Sequence, residues 1–128
     1  PDSHHPLSHH QNNAEKLARL AKINTFHVKQ VQYLVEKLAT TKDGDGMMLD
    51  NAMVLYGSGM SDSNMHIPTN VPTLLVSGKN FGIKGNRAIH ASERTPLANL
   101  QMSILERFGM PMEKFGDSNG ELKALTGV

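Results

Sequence analysis

The chain has 128 residues, a formal net charge of +1, no cysteine, and hydrophobic and charged fractions of 38% and 20%. This is enough for one domain with a real core, burying roughly two thirds of the surface its unfolded chain exposes. The scattered, balanced charge argues against nucleic acid and anionic membranes as partners, the absence of cysteine excludes disulfides, thiolate metal sites and a cysteine nucleophile, and no apolar run approaches a membrane span. The chain opens on Pro1 without a signal-peptide pattern and reads as the later part of a longer polypeptide.

The first ten residues, PDSHHPLSHH, hold four of the seven histidines. Pro6 disfavours helix at His5, so this segment is expected to be irregular. Imidazole is the commonest metal-binding side chain near neutral pH, and two or three of His4, His5, His9 and His10 can ligate zinc or iron where a carboxylate completes the set. The competing reading is a solvated, frayed terminus.

From Asn13 to Thr40, apolar residues recur every three or four positions (Leu17, Leu20, Ile23, Val28, Val31, Leu34, Val35, Leu38) with neither proline nor glycine. The pattern predicts one long amphipathic helix, capped by Asn12 or Asn13 and carrying Glu15 in its first turn. His27 falls on the buried stripe and reads as a satisfied core histidine. TKDGDG then ends the helix in a turn. Its ligand series stops at Asp43 and Asp45, short of a calcium loop.

Ala52 to Tyr56 form a short apolar run that reads as a buried strand of a parallel sheet, and Thr73 to Val76 form a second. Between them lies the loop GSGMSDSNMH, with Ser58, Ser61, Asp62, Asn64 and His66. Asp and His four residues apart on such a loop can share a metal, and an ordinary glycine-serine loop with a capping aspartate fits equally well. GKNFGIKGNRAIH suits a loop or edge hairpin, with His90 beside Arg87. Thr95 and Pro96 start a second helix, with Leu97, Leu100, Ile104, Leu105 and Phe108 on its buried face and Gly109 at its end. The tail holds only short structure. Helix, strand, strand, helix is an α/β order, in which ligands collect at loops after the carboxyl ends of strands.

His5-Pro6-Leu7-Ser8-His9-His10 is an H-x-x-S-H-H string and resembles the signature of the bacterial HXXSHH family, a domain of unknown function. HQNNAEKLARLAKINTFHVKQVQYLVEKL, DGDGMMLDNAMVLYGSGMSDSNMH, VPTLLVSG, TPLANL and FGDSNGEL resemble that family's closing region in order and spacing, so the likeness covers nearly the whole chain. The resemblance implies a C-terminal segment, residues 1–128, of a single HXXSHH-type α/β domain, exported through a twin-arginine signal upstream. It also implies a distant similarity to the alkaline phosphatase and sulfatase superfamily. The fold expected is the C-terminal part of an alkaline-phosphatase-like sheet with flanking helices. The superfamily's Asp-His metal pair is usually adjacent, whereas Asp62 and His66 are separated by three residues. Ile67-Pro68-Thr69-Asn70 stands where further histidines are common in the family.

The leading expectation is a metal-dependent hydrolase of phosphate or sulfate esters, on a small-molecule or glycan substrate. His5, His9, His10, Asp62 and His66 are its candidate ligands for zinc, manganese or iron, and Ser8 and Ser58 orient substrate or ligands. The alternatives are a non-catalytic metal- or glycan-binding module and an interaction domain of an exported complex.

Overall fold

The computed structural model describes residues 3–126. The chain divides into two compact units, Pro1–Met48 with Val54–Val76, and Leu49–Met53 with Ser77–Val128. Both helices and strands are present, so the α/β class holds at the level of a mixed fold.

In the first unit the histidine-rich segment is not irregular. His4–Ser8 form a turn of helix, α1. Pro6 is its third residue, where the backbone N–H of a first turn has no partner within the helix, so the missing donor loses no bond. Its C-terminal end is held by the amide of His9 and the hydroxyl of Ser8, both donating to the carbonyl of His5 at 3.3 and 2.8 Å. Leu7 and Ser8 are buried.

The helix expected over residues 13–40 is present as α2, Ala14–Thr40. Asn13 is the N-cap, its side chain accepting from the amide of Lys16 at 3.0 Å, and Glu15 lies in the first turn. Burial departs from expectation. No residue of α2 is buried; Leu17, Val28 and Leu34 of the apolar stripe are exposed, and Leu20, Ile23, Val31, Val35 and Leu38 are half-covered. The period of a pattern fixes which face is apolar without fixing how much packs on it.

TKDGDG forms a hairpin of β1 (Lys42–Asp43) and β2 (Gly46–Met47), paired Lys42 with Met47 and Asp43 with Gly46. Gly44 opens the two-residue loop at φ +56°, the left-handed backbone that primed hairpin turns require. The two apolar runs become β3 (Met53–Gly57) and β4 (Thr73–Ser77). They form a two-stranded antiparallel ribbon, which corrects the parallel, buried expectation. A parallel pair needs a crossover, usually a helix, and the described residues 58–72 contain only turns and a bridge. With one partner each, the strands stay half-buried to exposed.

In the second unit the core gathers on α3, Leu97–Arg107, where Ala98, Asn99, Leu100, Met102 and Ser103 are buried. Pro96 rather than Thr95 is the N-cap, and Leu97 and Phe108 of the expected buried face are exposed. Gly109, at φ +72°, ends the helix in a Schellman arrangement, its amide donating to Glu106 and that of Met110 to Leu105. The segment after α3 straps back onto it. Asn99 donates from Nδ2 to Asn119 Oδ1 at 2.8 Å and accepts from the Asn119 amide at 3.1 Å. The hydroxyl of Ser103, which has no exposed surface, accepts from the amide of Leu122 at 2.8 Å. The short helix α4, Lys123–Thr126, places Leu125 in this core, and Arg87 donates to the Leu125 carbonyl. Gly78 is required by close approach, because any Cβ there would overlap the carbonyls of Leu49 and Asp50.

Candidate metal centre

Because α1 is helical, residues four apart share a face, and His5 and His9 come together. Their Nε2 atoms are 3.2 Å apart and their rings meet edge to face with centroids 4.8 Å apart. In the neutral pair one Nε2 donates to the other. From the loop after β3, His66 brings its ring to 4.9 Å from that of His9. Three of the five candidate ligands therefore converge from two segments distant in sequence.

The loop that carries His66 is built as a miniature hairpin. Asp62 and Ile67 form an antiparallel bridge, with the Ser61 amide donating to Ile67 at 2.9 Å and the Ile67 amide to Asp62 at 3.0 Å. Inside it, Asp62 Oδ1 accepts from the amides of Asn64 and Met65 at 2.9 and 3.0 Å. His66 itself sits at φ +55°, in the left-handed region that non-glycine residues visit uncommonly and that asparagine, aspartate and histidine visit most. The loop is tied to the end of α1. The Ser63 hydroxyl donates to the carbonyl of Ser8 at 3.0 Å, and the Gln11 amide donates to Asn64 Oδ1 at 2.8 Å.

The chain matches no protein-family model, no curated protein and no solved structure.

The remaining candidates lie elsewhere in the first unit. His10 is buried, and its Nδ1 accepts from the amide of Asn12 at 3.1 Å, so its neutral form carries the proton on Nε2. It closes the connection between α1 and α2, where Gln11 and Asn12 are both left-handed. Ser8 spends its hydroxyl on α1 and its carbonyl on Ser63. Ser58 is exposed and accepts from the Met60 amide at 3.3 Å. His27, expected in the core, is exposed, with its ring 6.2 Å from that of His4. Asn64, named with the loop cluster, docks the loop through its side chain; missed by the sequence reading were Ser63, which docks it too, and Lys16, whose ammonium donates to the His9 carbonyl at 3.5 Å. Their only advance signal was polarity beside the candidate ligands.

As the side chains stand, no three histidine, aspartate or glutamate residues among those described are arranged to hold one ion. The His5–His9 pair nevertheless has the bite of a chelate. With metal–nitrogen bonds of about 2.0–2.1 Å, nitrogens 3.2 Å apart subtend roughly 100° at a shared ion, between octahedral and tetrahedral angles. His5 and His66 are both exposed, and exposed side chains change rotamer freely on a fast timescale.

Proposed function

We propose that the chain is part of an exported, metal-dependent hydrolase of phosphate or sulfate esters, with a divalent ion held by His5, His9 and His66. His10 and Asp62 complete the candidate set. The observation that carries this reading is the convergence of the three imidazoles from α1 and the β3–β4 loop. When bound, a divalent ion supplies a water of lowered pKa and polarises the ester oxygen. The chain's own residues prepare the site. Ser8 fixes the turn that sets the His5–His9 spacing, and Lys16 places a positive charge beside His9, where an anionic ester is attracted. The alkaline-phosphatase-like sheet belongs to this reading through the order of strand, Asp62–His66 loop and Val71–Pro72 strand start.

The test is metal content by elemental mass spectrometry, followed by ester turnover. About one equivalent of transition metal, lost on His9→Ala and on His66→Ala, with release of phosphate or sulfate from model esters, is the expected result. Metal without turnover leaves a binding module. Folded protein that takes up no metal on reconstitution refutes the reading.

A second reading has an observation of its own. The stripe of α2 is uncovered at Leu17, Val28 and Leu34, which fits an interaction domain whose histidines are incidental. Metal-independent self-association or complex formation lost on Leu34→Glu favours it.

A further inference from the structure

We infer that the outward face of α2 is a docking site for an acidic helix of a partner protein, which lies along a stripe formed by Lys22, Phe26, Lys29, Tyr33 and Lys37. These residues follow one another at steps of three or four, so at 3.6 residues per turn they fall within roughly a quarter of the helix circumference. The half-covered apolar residues of α2, Leu20, Ile23, Val31, Val35 and Leu38, lie on the other side. Phe26 and Tyr33 are 59% and 58% exposed, and the three lysines are exposed with them. Nothing local asks for aromatic rings there, because phenylalanine and tyrosine are poorer helix formers than alanine or lysine. One exposed ring would need no explanation. Two in register, seven residues apart and interleaved with ammonium groups, make a surface of uniform chemistry about 22 Å long. Lys37 holds its Nζ 5.4 Å from the Tyr33 ring centroid, and Ala21, Lys22, Thr25, Phe26 and Lys29 line a surface notch.

Charge selects the occupant. α2 carries Lys16, Arg19, Lys22, Lys29 and Lys37 against Glu15 and Glu36, an excess of three positive charges in a chain whose formal total is +1. Glu36, beside the stripe, accepts from the side-chain amide of Gln32 at 2.8 Å. A second copy of the chain would set lysine against lysine. An acidic helix sets glutamate against lysine and leucine against the rings, and a repeat of three and four residues is the spacing at which two helices keep a common seam. A lipid surface would take α2 by its apolar stripe, the side that the chain itself half covers. A nucleic-acid strand stacks its bases on neighbouring rings, whereas Phe26 and Tyr33 stand about 10 Å apart along the axis, roughly three times the step of stacked bases. The stripe uses none of the candidate ligands, so it stands or falls independently of metal binding.

The experiment titrates a synthetic helix of about four heptads, with leucine and glutamate alternating along its seam, into the full chain and follows binding by calorimetry. The same helix with lysine in place of glutamate, an oligothymidylate, and vesicles of equal parts phosphatidylserine and phosphatidylcholine are run beside it. The acidic helix is expected to bind in the micromolar range and to weaken about ten-fold between about 0.05 and 0.5 M salt. Lys22→Glu combined with Lys29→Glu is expected to weaken it by about thirty-fold and to gain affinity for the lysine helix. Phe26→Ala combined with Tyr33→Ala is expected to weaken it by about ten-fold. A reversal of preference in the charge-swapped variant separates recognition from loss of the helix, which circular dichroism also checks. The inference falls if the acidic helix does not bind, if the lysine helix binds the parent chain equally well, or if charge reversal leaves both affinities unchanged. Tighter binding of the oligonucleotide or of the vesicles than of the acidic helix also overturns it.

Discussion

Replacing Asn99 by alanine tests whether the strap over α3 is held by polar side chains. Asn99 is 5% exposed and makes two bonds to Asn119, one through each end of its amide. Asn119 is exposed, so water can take over its freed groups and the loss is the net worth of two neutral hydrogen bonds, about 1–3 kcal/mol in all. Ser103→Ala is expected to cost less, about 1 kcal/mol, because the Leu122 amide that it accepts also faces the Asn99 carbonyl at 3.3 Å and keeps a partner. Both changes loosen the same strap, at Asn119 and at Leu122, so the double variant should depart from additivity by about 0.5 kcal/mol or more. Urea unfolding of the four proteins gives the values, provided that the slopes agree. A loss below about 0.5 kcal/mol for Asn99→Ala, the level of an ordinary surface change, would refute the idea that these bonds hold the strap.

Gly78→Ala must push a methyl into the carbonyls of Leu49 and Asp50; a loss of about 1–3 kcal/mol, typical of overpacking, is expected by thermal or urea unfolding. Asn13→Ala removes the side-chain acceptor of the Lys16 amide and should cost about 1 kcal/mol of helix stability, seen as reduced far-ultraviolet ellipticity, while Asn13→Asp or Asn13→Ser should restore it.

Local signals were legible and distant ones were not. The extent of α2 and its Asn13 cap follow from residues within a few positions of each other, and the turn at Gly44 follows from its residues, although the short strands that make it a hairpin were not expected. At α1 a local rule misled: the restriction that Pro6 places on His5 yields where proline stands in the first turn, and with it went the one feature that makes His5 and His9 neighbours. Strand direction could not be read because an apolar run does not name its partner. The burial of α3 was misjudged because Asn99 and Ser103 are polar; they are buried for the sake of Asn119 and Leu122, roughly twenty positions away. At the candidate site, Asp62 and His66 were recognised by type and spacing. What spacing cannot express is that the aspartate side chain bonds its own loop and that the histidine backbone is left-handed.

The exposure of α2 bears on how the chain responds to heat. At 1.5 Å per residue, the 27 residues of α2 extend about 40 Å, yet none of them is buried. Such a segment is governed by helix–coil statistics, in which turns are lost progressively with temperature, more than by the cooperative collapse of a packed core. Ellipticity at 222 nm should then decline along a slope well before the α3 core gives way. A single melting temperature would describe the second unit and say little about the helix that contributes most of the signal.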